Sequence, residues 1–139
     1  MNAEKYIERV KMIDAMLINK LEDHRRWVEL ADSLGGFSVG ERVQSSRNLH
    51  KGQDAIDRYI DLEREMDALR EERQAIIDTL QQLPFAEYDI LYSIYVKVPE
   101  LSFRKIANKH GKSYDWVKKG KKRGLKMLQE ILDKRVGEG

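Results

Sequence analysis

The 139-residue chain has no cysteine, two prolines and three histidines. Without cysteine there is no disulfide scaffold, thiolate zinc site, iron–sulfur cluster or cysteine nucleophile, a usage that suits a reducing interior. His24, His50 and His110 stand far apart with no ligand spacing, so they read as surface or interface residues rather than metal ligands. No apolar run approaches the roughly 20 residues that span a bilayer. The opening Met-Asn-Ala-Glu-Lys lacks the basic and then apolar regions of a signal peptide. Glycine-rich phosphate loops and nucleophile elbows are absent, and acidic pairs such as Glu71-Glu72 point to different helix faces. These absences lead to the expectation of a cytoplasmic, non-enzymatic protein with no cofactor and no membrane partner.

The charge is present but unevenly placed. The net charge of +2 combines 13 Lys/Arg against 17 Asp/Glu in residues 1–83 with 13 against 7 in residues 84–139. Residues 97–126 alone hold 11 basic and 2 acidic side chains. A basic end on a nearly neutral or acidic body suggests binding to a polyanion, whereas a basic run on its own is only a solvated face. The residues inside this run decide between the two.

Helical periodicity dominates the first 83 residues. Tyr6, Ile7, Val10, Ile13, Leu17, Leu21, Trp27, Val28, Ala31 and Leu34 recur at three- and four-residue steps, predicting a helix over 3–34 that Gly35-Gly36 stops. Residues 35–53 carry Gly, Ser, Asn and scattered apolar side chains without a period and read as a loop. A second helix is predicted over about 54–83. Its Tyr59, Leu62, Met66, Leu69, Arg73, Ile76, Leu80 and Leu83 follow a coiled-coil seam in which Arg73 snorkels, pairs or selects a partner. Two such rods fold back most simply as a long antiparallel hairpin, and their residual apolar surface suits dimerisation. Pro84 ends the second rod. Domains are therefore expected at 1–83, a helical hairpin that dimerises, and at 84–139.

The second part predicts three shorter helices over 86–96, 102–110 and 113–135. Ser102 is placed to cap the second, and Ser113 with Asp115 opens the third. Ala107, Gly111 and Val117 have the spacing of a helix-turn-helix: a small residue where the helices cross, a residue free to adopt positive φ, and an apolar side chain returning to the crossing. His110 and Lys112 depart from the pattern, which more often has apolar residues there. Tyr114, Asp115, Lys118, Lys119 and Lys122 would face outward, with residue types suited to a major groove.

Leu83-Pro84, Tyr88-Asp89-Ile90-Leu91-Tyr92, Ile94-Tyr95, Leu101 to Ala107, Gly111-Lys112-Ser113, Val117 and Arg123-Gly124-Leu125-Lys126-Met127-Leu128 together resemble the promoter-reading C-terminal domain of bacterial sigma factors, over about residues 83–132. The whole chain is similar to a family of small phage and prophage proteins of Gram-positive bacteria. That family has a helical N-terminal half, a segment like Glu41-Arg42-Val43-Gln44-Ser45-Ser46 and a sigma-like C-terminus. The resemblance implies a transcriptional regulator that binds DNA near Ser113–Lys122. Gly120 and Gly124 depart from it, since sigma factors carry larger residues such as Ile and Ala there. These glycines either admit a neighbouring helix closely or make the recognition helix flexible.

The expected architecture is all-α, a long coiled-coil-like hairpin followed by a three-helix, sigma-like helix-turn-helix. The expected function is binding of double-stranded DNA as a homodimer. Lys105, Lys109, Lys119, Lys121 and Arg123 are the candidate phosphate-side residues, and Tyr114, Asp115, Lys118 and Lys122 are the candidates that face base edges. Arg104 and Ser113 complete the DNA-binding candidates. Tyr114 and Trp116 either meet bases or pack on the neighbouring helix, and Arg42–Arg47 is either a second phosphate contact or a solvated loop. The rival reading is a protein-interaction module that docks on RNA polymerase or another regulator and barely touches DNA.

Overall fold

The computed structural model describes residues 2–35 and 46–138, with side chains described over 2–33 and 50–137. The fold is all-α, with five helices among the described residues: α1 (Ala3–Gly35), α2 (Ser46–Leu80), α3 (Phe85–Tyr95), α4 (Phe103–His110) and α5 (Tyr114–Glu138). No described helix is long and apolar enough to cross a membrane.

The second rod differs from its expectation at both ends. Helix α2 begins at Ser46, so residues 46–53 are helical where the sequence reads as a loop, and it ends at Leu80, with residues 81–83 in a turn. Gly52 and Ala55 are both buried, and this packing offsets the propensity cost of a glycine inside a helix. The remaining loop positions, including Arg42 and the Glu41–Ser45 part of the family-like segment, lie outside the described residues.

Contacts divide the chain into two compact units, Met1–Ile13 with Glu72–Gly139, and Asp14–Glu71. The boundary read at Pro84 therefore falls inside the first unit. In the second unit α1 and α2 run antiparallel, as the Lys20–Glu65 pair at 3.1 Å and the His24–Glu63 contact at 2.9 Å show. Among its described residues Ala31, Ala55, Leu62, Met66 and Leu69 are the buried apolar side chains, and Tyr59 is half-buried against His24.

The first unit wraps the three short helices with the beginning of α1 and the end of α2. Ile7, Val10, Ile13, Ile76, Ile77, Leu80, Leu83, Ile90, Leu91, Leu128 and Leu132 are buried in it. Thr79 is its polar node. Its buried hydroxyl donates to the Ala75 carbonyl at 2.9 Å and stands 3.1 Å from the Tyr6 hydroxyl and 2.8 Å from an Arg135 guanidinium nitrogen. Gln129 of α5 accepts from the Ala3 backbone N–H at 2.8 Å, which satisfies one of the otherwise orphaned donors at the start of α1. A three-helix motif alone buries little surface, so the added turns of α1 and α2 supply the rest of its core.

Candidate nucleic-acid interface

The turn between α4 and α5 is fixed by local chemistry. Ser102 accepts the Lys105 N–H at 3.2 Å and caps α4. At the other end Gly111 takes φ +64°, and the Lys112 N–H reaches back to the Ala107 carbonyl at 2.9 Å while the Gly111 N–H bonds Asn108 at 3.2 Å. This Schellman arrangement closes α4 and leaves Lys112 exposed. Ser113 accepts the Trp116 N–H at 3.1 Å and caps α5, so the hydroxyl of this DNA-binding candidate has a structural partner. Ile90, Ile106, Ala107 and Val117 form the buried crossing, with Ile94, Leu101, Phe103 and Trp116 packed around it. The small residue, the left-handed turn and the returning apolar side chain thus sit where the spacing places them.

His110, a departure from the sequence pattern, is accounted for by a buried carboxylate. Asp89 on α3 is 8% exposed, and its two oxygens stand 2.6 Å from His110 Nε2 and 3.0 Å from Lys109 Nζ. The His110 ring also lies 5.1 Å from the Trp116 ring. Burial pushes the Asp89 carboxyl up, but hydrogen bonds from Lys109 and His110 and their charge outweigh it and hold the group below the ordinary carboxylate range. A depressed folded pKa stabilises the fold above the unfolded value near 3.8, and that contribution is lost as pH falls through the folded value. Thermal melts of Asp89→Asn should therefore lie below those of the parent at neutral pH, with the gap closing below about pH 4. A gap that persists unchanged at pH 2 would contradict the ionised clamp.

The two glycines of α5 admit α3. A Cβ built on Gly120 would lie 2.5 Å from Ile90 Cδ1, and one on Gly124 would lie 3.1 Å from Leu91 Cδ1 and 3.4 Å from Glu87 Cβ. Close helix approach, the first of the two readings of these positions, is what the geometry requires.

The basic residues do not all face one way. Val117, Gly120, Gly124 and Leu128 define the inner face of α5, and Asp115, Lys118, Lys119, Lys122 and Lys126 are exposed. Lys118, Lys122, Lys126 and Lys112, together with Arg104 and Lys105 on α4, form no salt bridge with any described residue. Lys119 pairs with Asp115 at 3.0 Å on the helix surface. Lys109 is held by Asp89, and Arg123 Nε donates to Glu87 at 2.6 Å. Lys121 is half-buried with its ammonium 5.7 Å from the Tyr95 ring centroid and 5.6 Å from that of Phe103, so it faces the protein. Tyr114 is 57% exposed at the start of α5, its ring 5.5 Å from Phe103. Trp116 is half-buried in the crossing, which is the packing alternative for that residue.

Lys112 and Lys126 are missing from the sequence-derived site. The signal for Lys126 is present in the four-residue step from Lys118 through Lys122. Among the described residues no group of three or more His, Asp or Glu is placed to hold a metal ion.

Comparison of the chain with protein-family models, with curated proteins and with solved structures found no match.

Proposed function

We propose that the chain is a double-stranded DNA-binding transcriptional regulator of phage or prophage type, acting through its helix-turn-helix. The observation that carries this reading is the exposed row Lys118, Lys122 and Lys126 on α5, which has no core role and, among the described residues, no acidic partner. Arg104 and Lys105 at the start of α4 add unpaired positive charge on the preceding helix. Side chains of this kind at the front of a second helix meet base edges, and those beside them meet phosphates. The resemblance to the sigma promoter-reading domain agrees with that assignment. A titration on genomic duplex fragments at two salt concentrations tests it. The expected outcome is a log–log salt slope of about −3 to −5, from about 0.9 counterion per phosphate contact, with at least one preferred fragment. A flat slope and no preference overturn it.

A second reading has an observation of its own. Phe85 is 71% exposed, with its ring 6.4 Å from His110, an apolar surface suited to docking on RNA polymerase or another regulator. Homodimerisation also belongs to the proposal. The described residues of the Asp14–Glu71 unit include few buried apolar side chains, while Ile18, Leu21 and Leu30 on α1 are 59%, 47% and 39% exposed. Two antiparallel helices of that composition gain stability from a second copy. Light scattering should return twice the chain mass at micromolar concentration, and a monomer at high micromolar concentration removes the dimer.

A further inference from the structure

Helix α3 inverts the usual placement of its charges. Glu87 and Asp89 are buried at 6% and 8% exposure, while Phe85 stands in solvent. Asp89 is spent on the α4 end through His110 and Lys109. Glu87 does something different, because its only described partner is Arg123, a residue with an exposed side. The Arg123 side chain is 47% exposed and that of Glu87 only 8%. The carboxylate therefore sits behind the guanidinium, on the protein side of it. The contact uses Arg123 Nε, at 2.6 Å; one terminal nitrogen lies 3.9 Å from where a Cβ on Gly120 would stand, and neither terminal nitrogen hydrogen-bonds a described residue.

Gly124 brings α5 close to α3 beside this contact. A Cβ there would stand 3.1 Å from Leu91 Cδ1 and within van der Waals contact of the Glu87 stem, at 3.4 Å from its Cβ. The glycine, the buried acid and the arginine form one device spanning α3 and α5. A free arginine loses side-chain entropy when it binds a phosphate. One already held through Nε loses less, and a planar fork fixed in direction suits bidentate phosphate contact.

We infer that Glu87 is a positioning residue, which holds the half-exposed Arg123 guanidinium in a fixed direction as a preset clamp for a backbone phosphate at the edge of the α5 footprint. The inference rests on the DNA-binding reading. With DNA bound, Lys118 and Lys122 lie at the middle of the footprint and Lys119 with Arg123 along one edge, so one phosphate strand is gripped by a surface lysine and a fixed arginine.

The opposing idea is that Glu87 neutralises Arg123 and masks it. The two predict opposite signs. With Glu87→Gln, verified as folded by its helical signal and melting curve, a preset clamp weakens duplex binding by about three- to tenfold and flattens the salt slope by up to about 0.9. A mask gives tighter binding and a steeper slope. Arg123→Ala should produce the same loss, and the double variant should lose no more than either single one. Glu87→Asp, which keeps the charge but shortens the reach, serves if the glutamine variant does not fold, and it should behave as Glu87→Gln does.

Unchanged or tighter binding, or effects of the two single substitutions that add, overturn the inference while leaving DNA binding intact. A parent protein that binds no duplex overturns both together. In that case the Arg123 Nε–H resonance, shielded from exchange in the parent and exposed in Glu87→Gln, still separates the loss of the pair from the loss of the ligand.

Discussion

Replacing Lys118 and Lys122 together with Ala is expected to weaken binding to the preferred duplex by about 30-fold or more and to level the difference between fragments. Both side chains are exposed on α5 and form no salt bridge with a described residue, so their removal leaves no buried charge behind. Neither contributes to the crossing built from Ile90, Ile106, Ala107 and Val117. The helical signal and melting curve should therefore match the parent. Lys119→Ala is the internal control, since its loss should weaken all sequences alike. Parent-like binding by the double variant would favour the docking reading that draws on Phe85.

The largest expected effect on stability is at Gly120. Leucine there must displace Ile90, whose terminal methyl would lie 2.5 Å from the new Cβ. Ile90 is fully buried and belongs to the crossing itself, so relief by moving it disturbs Ile106 and Val117 as well. Overpacking of this kind costs about 1–3 kcal/mol. For a unit of this size that is a fall in Tm of about 5–20 °C, readable in a thermal melt. Alanine at the same site has a smaller and opposed pair of effects. Helix propensity gains about 1 kcal/mol, and the Ile90 methyl must give way. An unchanged melt for Gly120→Leu would show that α3 and α5 are not locked together there.

Much of this architecture was legible in the residues. The three- and four-residue steps of α1, the Ser102 and Ser113 caps and the Ala107, Gly111 and Val117 spacing are local signals, each carried by neighbours close in sequence. The start of α2 was not legible, because Gly52 and its polar neighbours look like loop until a facing helix gives them something to pack on. The boundary at Pro84 marks a real break in the helix but not in the core, which continues from Ile76, Ile77 and Leu80 into α3 and α5 of the same unit.

The buried acids show the same limit inside the site. Glu87 and Asp89 look like solvent-facing charges in the sequence, and their partners lie 36 residues away at Arg123 and 20 at Lys109. Whether a lysine in a basic run is free, paired or laid on a ring depends on such distant neighbours. The sequence-derived site accordingly gives Lys121, which rests over Tyr95 and Phe103, the same phosphate role as the exposed Lys119.

That inward lysine bears on how such a protein would find its target. Non-specific attraction to DNA grows with every cation presented to phosphate, and the genome offers a vast excess of wrong sites. Lys121 stands over two aromatic rings, while Lys109 is tied to a buried carboxylate of α3. The surface that meets random sequence is therefore less adhesive than the 11 basic residues of 97–126 suggest. For a regulator that reads DNA, a weaker hold on wrong sites shortens each stop, and the protein spends more of its search in transit between them.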